Sequence, residues 1–195
     1  MDTRTRILEA AIAIIESDGE SEIRVDQVVA DAGFTKPVLY HHFQDKDDLI
    51  VAAQAERYLR TMQLGLEETL AAARLSKSPE EYLAVLGAWL ATFSTREGEQ
   101  RRRLRMEVLG SAVSRPDLQA RIREANRVQA QQLAGVIEIA RDRGWLLPGV
   151  SAESVSVWWV GLILSRYLVD MDSDFFDPAE WDALTAFAAR TMIAG

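Results

Sequence analysis

The chain contains no cysteine in 195 residues, which removes disulfides, thiolate metal sites and cysteine nucleophiles together and fits a reducing compartment. Histidine is almost absent as well. His41 and His42 are the only two and are adjacent, so on a helix they point about 100° apart and cannot chelate a metal as an i, i+4 pair. No metal or cofactor is expected. G-x-S-x-G, H-E-x-x-H and phosphate-loop patterns are also missing, so no catalytic residue is singled out and an enzyme is not expected. Long apolar runs are lacking too. The most apolar window, Val155 to Leu164, is interrupted by Ser156 and Gly161 and falls short of the roughly 20 residues a membrane span needs. The start, MDTRTRILEAA, has no apolar signal-peptide core, so a cytoplasmic protein without membrane contact is expected. Strand signals fail in their turn: apolar residues rarely alternate at period two, and no Asn-Gly or Asp-Gly hairpin joins two such runs.

Positive charge is scarce. The net charge is −8, and residues 1–50 hold 5 Lys and Arg against 11 Asp and Glu. A head this acidic lacks the usual basic footprint of a nucleic-acid binder, so any DNA affinity would lean on a few placed contacts and on dimerisation. Many of the acids stand at Glu16, Asp18, Glu20 and Glu22, or at Asp45, Asp47 and Asp48, where carboxylates favour a helix N-terminus.

What is present is helical periodicity in a chain that is 48% apolar and long enough for a sizeable core. The stretch VDQVVADAGFTKPVLYHHFQDK, residues 25–46, reads as two short helices joined at Gly33. Thr35 is placed to cap the second, with Pro37 in its first turn. Leu39 and Phe43 give that helix an apolar face against Val28 and Ala32, while Lys36, Pro37, Val38, Tyr40 and His41 are left for the outside. An outward face of this composition suits the DNA major groove, with the first helix across the backbone.

These residues resemble a known family. AAIAIIESDGE followed by VVADAGFTKPVLYHHFQDKDDL is similar to the N-terminal helix-turn-helix domain of tetracycline-repressor (TetR) family regulators, over roughly residues 4–52. The pattern A-G-x-[ST]-x-x-x-L-Y-x-H-F-x-x-K is met at Ala32, Gly33, Thr35, Leu39, Tyr40, His42, Phe43 and Lys46. The resemblance implies a DNA-binding set of Arg24, Thr35, Lys36, Pro37, Val38, Tyr40, His41, His42 and Lys46. Family members usually place Ser or Thr where Ile23 and Arg24 stand here, a departure that leaves the phosphate contact to the charge of Arg24.

The remaining chain continues in helices. Ile7, Leu8, Ala11, Ile14 and Ile15 stripe a first helix. Asp45 opens another whose pattern, Leu49, Ile50, Tyr58, Leu59, Met62, Leu66 and Leu70, predicts one unbroken helix to Ser76 across Gly65. Ser78-Pro79-Glu80-Glu81 starts the next, residues 99–113 and 118–144 carry two more, Ser151 opens an apolar helix to Asp170, and Asp177-Pro178 starts the last. The expected fold is all-α with about nine helices, divided into a three-helix helix-turn-helix domain at residues 1–47 and a helical effector-binding and dimerisation domain at residues 48–195.

The helix from Ser151 to Asp170 is apolar on most sides and needs a second buried face. Together with residues 178–193 it is expected to form a four-helix seam between two copies, a homodimer. The run Arg101, Arg102, Arg103 and Arg105 could be a second nucleic-acid patch, a lining for an acidic ligand, or a solvated helix start, the last being favoured. Trp89, Phe93, Met106, Trp158 and Trp159 are plain core or, as the resemblance implies, walls of a pocket for a largely apolar small-molecule effector. The resulting expectation is a regulator, a repressor that binds a palindromic operator in double-stranded DNA. Two alternatives stand beside it: a DNA-binding structural or partner-regulated protein without a small effector, and an all-helical enzyme or ligand carrier.

Overall fold

The computed structural model describes residues 1–62 and 65–193. The nine expected helices are present, two of them divided, which makes eleven α-helices and no strand among the described residues. The chain separates into two compact units: Met1–Arg60 with Met106–Arg123, and Thr61–Arg105 with the chain from Glu124 onward.

In the first unit, α1 (Thr3–Asp18) starts where the Asp2 carboxylate accepts from the Thr5 amide at 2.7 Å. Ile7, Ala11, Ile12 and Ile15 then line a core shared with α2 (Val25–Ala32), α3 (Lys36–His42) and α4 (Lys46–Arg60). Gly33 ends α2 at φ +73°, a left-handed conformation open to glycine at little cost, and the Phe34 amide closes the turn on the Val29 carbonyl at 2.8 Å. Arg6 locks the same turn by donating to the Ala32 carbonyl at 2.8 Å, its guanidinium lying over the Phe34 ring. Leu39 and Phe43 are buried, each worth about 1.5 to 3 kcal/mol in transfer from water. Ile23 is fully buried in this core as well, and the N-cap position of α2 falls on Arg24.

The unbroken helix expected from Asp45 to Ser76 is not formed. α4 ends at Arg60, Thr61 and Met62 form a turn, Gly65 adopts φ +62°, and α5 (Leu66–Leu75) begins after it. Gln63 and Leu64 lie outside the described residues. The two halves of the apolar stripe serve different cores: Leu49, Ile50 and Ala53 pack in the first unit, Leu66 and Ala73 in the second. Met106 to Arg123, spanning the end of α7 (Arg96–Ala112) and the start of α8 (Pro116–Asp142), completes the first unit.

The second unit holds α6 (Pro79–Ala91), capped by the Ser78 hydroxyl accepting from the Glu81 amide at 3.2 Å, then a 3-10 turn at Thr92–Ser94. Beyond α8 come α9 (Ala152–Ser165), α10 (Tyr167–Met171) and α11 (Pro178–Met192). The expected helix over 151–170 is divided at Arg166, where the ladder tightens and the Val169 amide donates to the Arg166 carbonyl at 3.0 Å. Tyr82, Leu86, Trp89, Leu133, Val136, Ile137 and Trp159 form the core, with the Tyr82 hydroxyl donating to the Val136 carbonyl at 2.9 Å. The arginine run is not a solvated helix start. Arg102 is 1% exposed and Arg105 4%, the latter donating to Thr61 at 3.0 Å and to Gln129 at 2.7 Å. Arg102 and Arg105 are three apart, so α7 turns both inward on one stripe and leaves Arg103 exposed.

Candidate nucleic-acid interface and ligand cavity

Behind the outward face of α3 the core is closed, so this face is fixed by packing rather than by its own polar residues. Lys36, Pro37, Tyr40 and His41 are exposed, His42 is half-buried, and Lys46 at the start of α4 is exposed. Val38, expected outside, is half-buried against the core and offers only part of its side chain. Thr35 occupies the N-cap position of α3, yet its hydroxyl makes no capping bond and is left on the surface. Arg24 stands likewise before α2 without capping it, with its guanidinium 3.6 Å from Glu22 and largely in solvent. A hydrogen bond from Lys36 to Asp26, at 2.8 Å, holds the ammonium charged and raises its pKa.

The acidity of the head has a structural cause that the linear sequence conceals. Arg115 sits 2.6 Å from Glu20 and 3.0 Å from Asp47, Arg57 reaches Glu16 at 3.6 Å and Glu107 at 3.2 Å, and Arg121 lies 3.8 Å from Asp48. Burial by itself pushes the Glu20 carboxyl up, but hydrogen bonds from Ser111 at 2.5 Å and Gln54 at 2.6 Å, with Arg115 beside them, bring it below the usual range. Several of the carboxylates that argue against DNA are therefore engaged by cations from α4, the α7–α8 link and α8 rather than left free.

Residues 7–53 match the model of the bacterial regulatory proteins of the tetR family. This segment is a tetR-family N-terminal domain. The chain is 30% identical over 109 residues to the HTH-type transcriptional regulator AcrR of Shigella flexneri, covering 55% of this chain and 48% of that protein. Across the curated relatives it matches, the aligned part spans only 26% to 48% of their length. Among solved structures, the SmeT–triclosan complex superposes with a TM-score of 0.61 at 23% identity, covering 96% of this chain and 89% of that one. A protein of Saccharomonospora viridis in complex with choline superposes at 0.66 with 18% identity, covering 98% of both chains. At these identities the structures establish the fold, and the family match establishes the domain at residues 7–53.

The second unit contains a cavity of about 620 Å³, lined by α6, the turn at Thr92–Ser94, the end of α9 with Arg166, and α11. Leu83, Leu90, Phe93, Leu162, Ile163 and Trp181 make its wall chiefly apolar, while Glu80, Arg166, Asp182 and Arg190 bring charge. Of the five residues expected as walls, Phe93 lies on this cavity. Trp89 and Trp159 are buried against a narrow crevice with Leu86, Leu133 and Ile137 instead. Trp158 is 43% exposed on the outer side of α9, and Met106 is exposed in the first unit. The expected walls were aromatic residues at helical spacing, whereas the polar wall residues, above all Arg166 and Asp182, carry no motif along the sequence. No group of His, Cys, Asp and Glu among the described residues is arranged to hold a metal ion, and no helix among them is long and apolar enough to cross a membrane.

Proposed function

We propose that the protein is a cytoplasmic repressor that binds a palindromic operator as a homodimer and leaves it when a small molecule enters the cavity of the second unit. Residues 1–47 read DNA and residues 48–195 dimerise and sense. The observation that carries the reading is α3, which exposes Lys36, Pro37, Tyr40 and His41 on a helix pinned from behind by Leu39 and Phe43. Lys36 donates to guanine O6 and N7, Pro37 and the free part of Val38 meet a thymine methyl, and Tyr40, Lys46, Arg24 and Thr35 hold phosphates. His41 and His42 stand at the C-terminal end of α3, flanking that phosphate line.

Dimerisation is supported by apolar surface that the single chain leaves uncovered. Val157, Trp158, Leu168, Leu184 and Phe187 on α9, α10 and α11 are 43% to 64% exposed, although large apolar side chains in a cluster are normally buried. Effector control is supported by the size and lining of the cavity, which fall in the range of small-molecule sites, and by the ligands held by two similarly folded proteins, triclosan in SmeT and choline in the Saccharomonospora viridis protein. Selection of bound duplexes from random DNA tests the reading directly. The expected product is an inverted repeat with half-site centres about 34 to 36 Å apart, or a multiple of that. A selection that enriches no sequence would remove the operator from the account.

A further inference from the structure

We infer that the cavity takes an amphiphilic monocarboxylate whose head group replaces Asp182 on Arg166; this rests on the effector reading above and names the ligand class. Arg166 donates through Nε and Nη2 to the two carboxylate oxygens of Asp182, at 2.9 and 3.2 Å, and through Nη1 to Asp170 at 2.8 Å. The other oxygen of Asp170 accepts from Arg102 Nε at 2.6 Å, and Arg102 Nη1 donates to the Phe93 carbonyl at 2.5 Å. Two buried guanidiniums thus share one buried carboxylate, and Asp182 is the second anion that balances them.

Acceptors are short in this cluster, not donors. Arg102 Nη2 is buried without any acceptor, so a cationic ligand would add positive charge and no acceptor, whereas a carboxylate supplies acceptors. The exchange falls at Asp182 because its side chain is 37% exposed, against 9% for Arg166 and Asp170 and 2% for Arg102. When Asp182 swings away it regains water. Loss of Asp170 would strand two buried cations instead, a far larger cost. An incoming carboxylate keeps the charge balance that Asp182 provided, and Leu83, Leu90, Phe93 and Trp181 receive its apolar tail. Glu80 stands elsewhere on the wall with its pKa lowered by a hydrogen bond from Ser78, so it stays ionised and disfavours a second ligand carboxylate. Asp182 lies on α11 and Arg166 at the joint of α9 and α10, so the exchange also unfastens α11 from that joint.

The test uses three probes of equal chain length, decanoate, decanol and decyltrimethylammonium, titrated below their micellar concentrations into the full chain and read by calorimetry and tryptophan fluorescence. Decanoate should bind about tenfold or more tighter than decanol, the yield of one charge-assisted pair. Asp182→Asn, which removes the competing charge, should tighten decanoate about tenfold and leave decanol unchanged. Arg166→Gln should abolish the preference, and if that variant fails to fold, Asp182→Asn decides alone. Decanoate binding no tighter than decanol, or weakened in Asp182→Asn, would overturn the exchange. Tightest binding of the ammonium probe would overturn it while keeping the cavity as a ligand site. Failure of all three to bind would overturn the effector reading of this cavity as well.

Discussion

Lys36 Nζ lies 2.8 Å from Asp26 Oδ1, so the one lysine on the outward face of α3 is held by a carboxylate of the helix before it. Both side chains are largely in water, at 51% and 80% exposure, so the pair adds little to stability. Its consequence concerns DNA. Lys36→Ala should lose roughly 5- to 150-fold in operator affinity and relax base preference at one position per half-site. Asp26→Asn should do the reverse for random DNA, tightening binding and steepening its salt dependence. Titrations at several salt concentrations check both, and an unaltered base preference in Lys36→Ala would take the lysine out of direct readout.

Glu20 gives the first unit a defined acid sensitivity. Its pKa is lowered in the folded chain, despite burial that works the other way, by Ser111, Gln54 and Arg115. A depressed carboxylate contributes stability above its unfolded pKa and loses it as pH falls through the folded value. Thermal stability of the wild type should therefore fall as pH drops below about 4, and Glu20→Gln should flatten that dependence while lowering stability at neutral pH by about 1 kcal/mol, a modest figure because the site is partly solvated. Parallel pH profiles of the two proteins by circular dichroism would show it.

Gly98 is where α7 passes the Phe93 backbone. A Cβ added there would sit 2.7 Å from the Phe93 carbonyl carbon, and backbone cannot step aside as a flexible side chain can. Gly98→Ala should then cost about 1 to 3 kcal/mol through overpacking, even though alanine is the better helix former. Because Phe93 lines the cavity, ligand binding should weaken in the same variant. Chemical denaturation supplies the first number and probe titration the second.

Gly161 offers the cleanest test of association. A Cβ at this position meets nothing within 4 Å in the single chain, so Gly161→Arg leaves the protomer fold intact. In a close-packed seam between two copies the same change buries an unpaired charge. Sedimentation should show wild type as a dimer at micromolar concentration and Gly161→Arg as a monomer, with operator binding lost and thermal stability of the protomer kept. A wild-type monomer would end the dimer proposal.

Local signals carried much of the architecture. The caps at Ser78, Ser151 and Asp177, the apolar stripe from Ile7 to Ile15, the glycine turn at Gly33 and the Leu39–Phe43 face each depend on residues within a few positions of one another, so α1, α3, α6, α9 and α11 were legible without any tertiary contact. The motif from Ala32 to Lys46 was likewise legible, because its residues stand within one short stretch, and that stretch lies inside the tetR-family match. Where two solutions share the same periodicity, the chain alone was mute. The stripe through Tyr58, Leu66 and Leu70 fits one straight helix as well as two, and only the assignment of its halves to different cores breaks it at Gly65. Arginines at 102 and 105 read as surface residues until carboxylate and amide partners 24 to 68 positions away are brought beside them. The cavity belongs to the same class: Arg166 and Asp182 are unremarkable along the sequence, and it is the packing of α11 beside the α9–α10 joint that makes them a charged pair in an apolar wall.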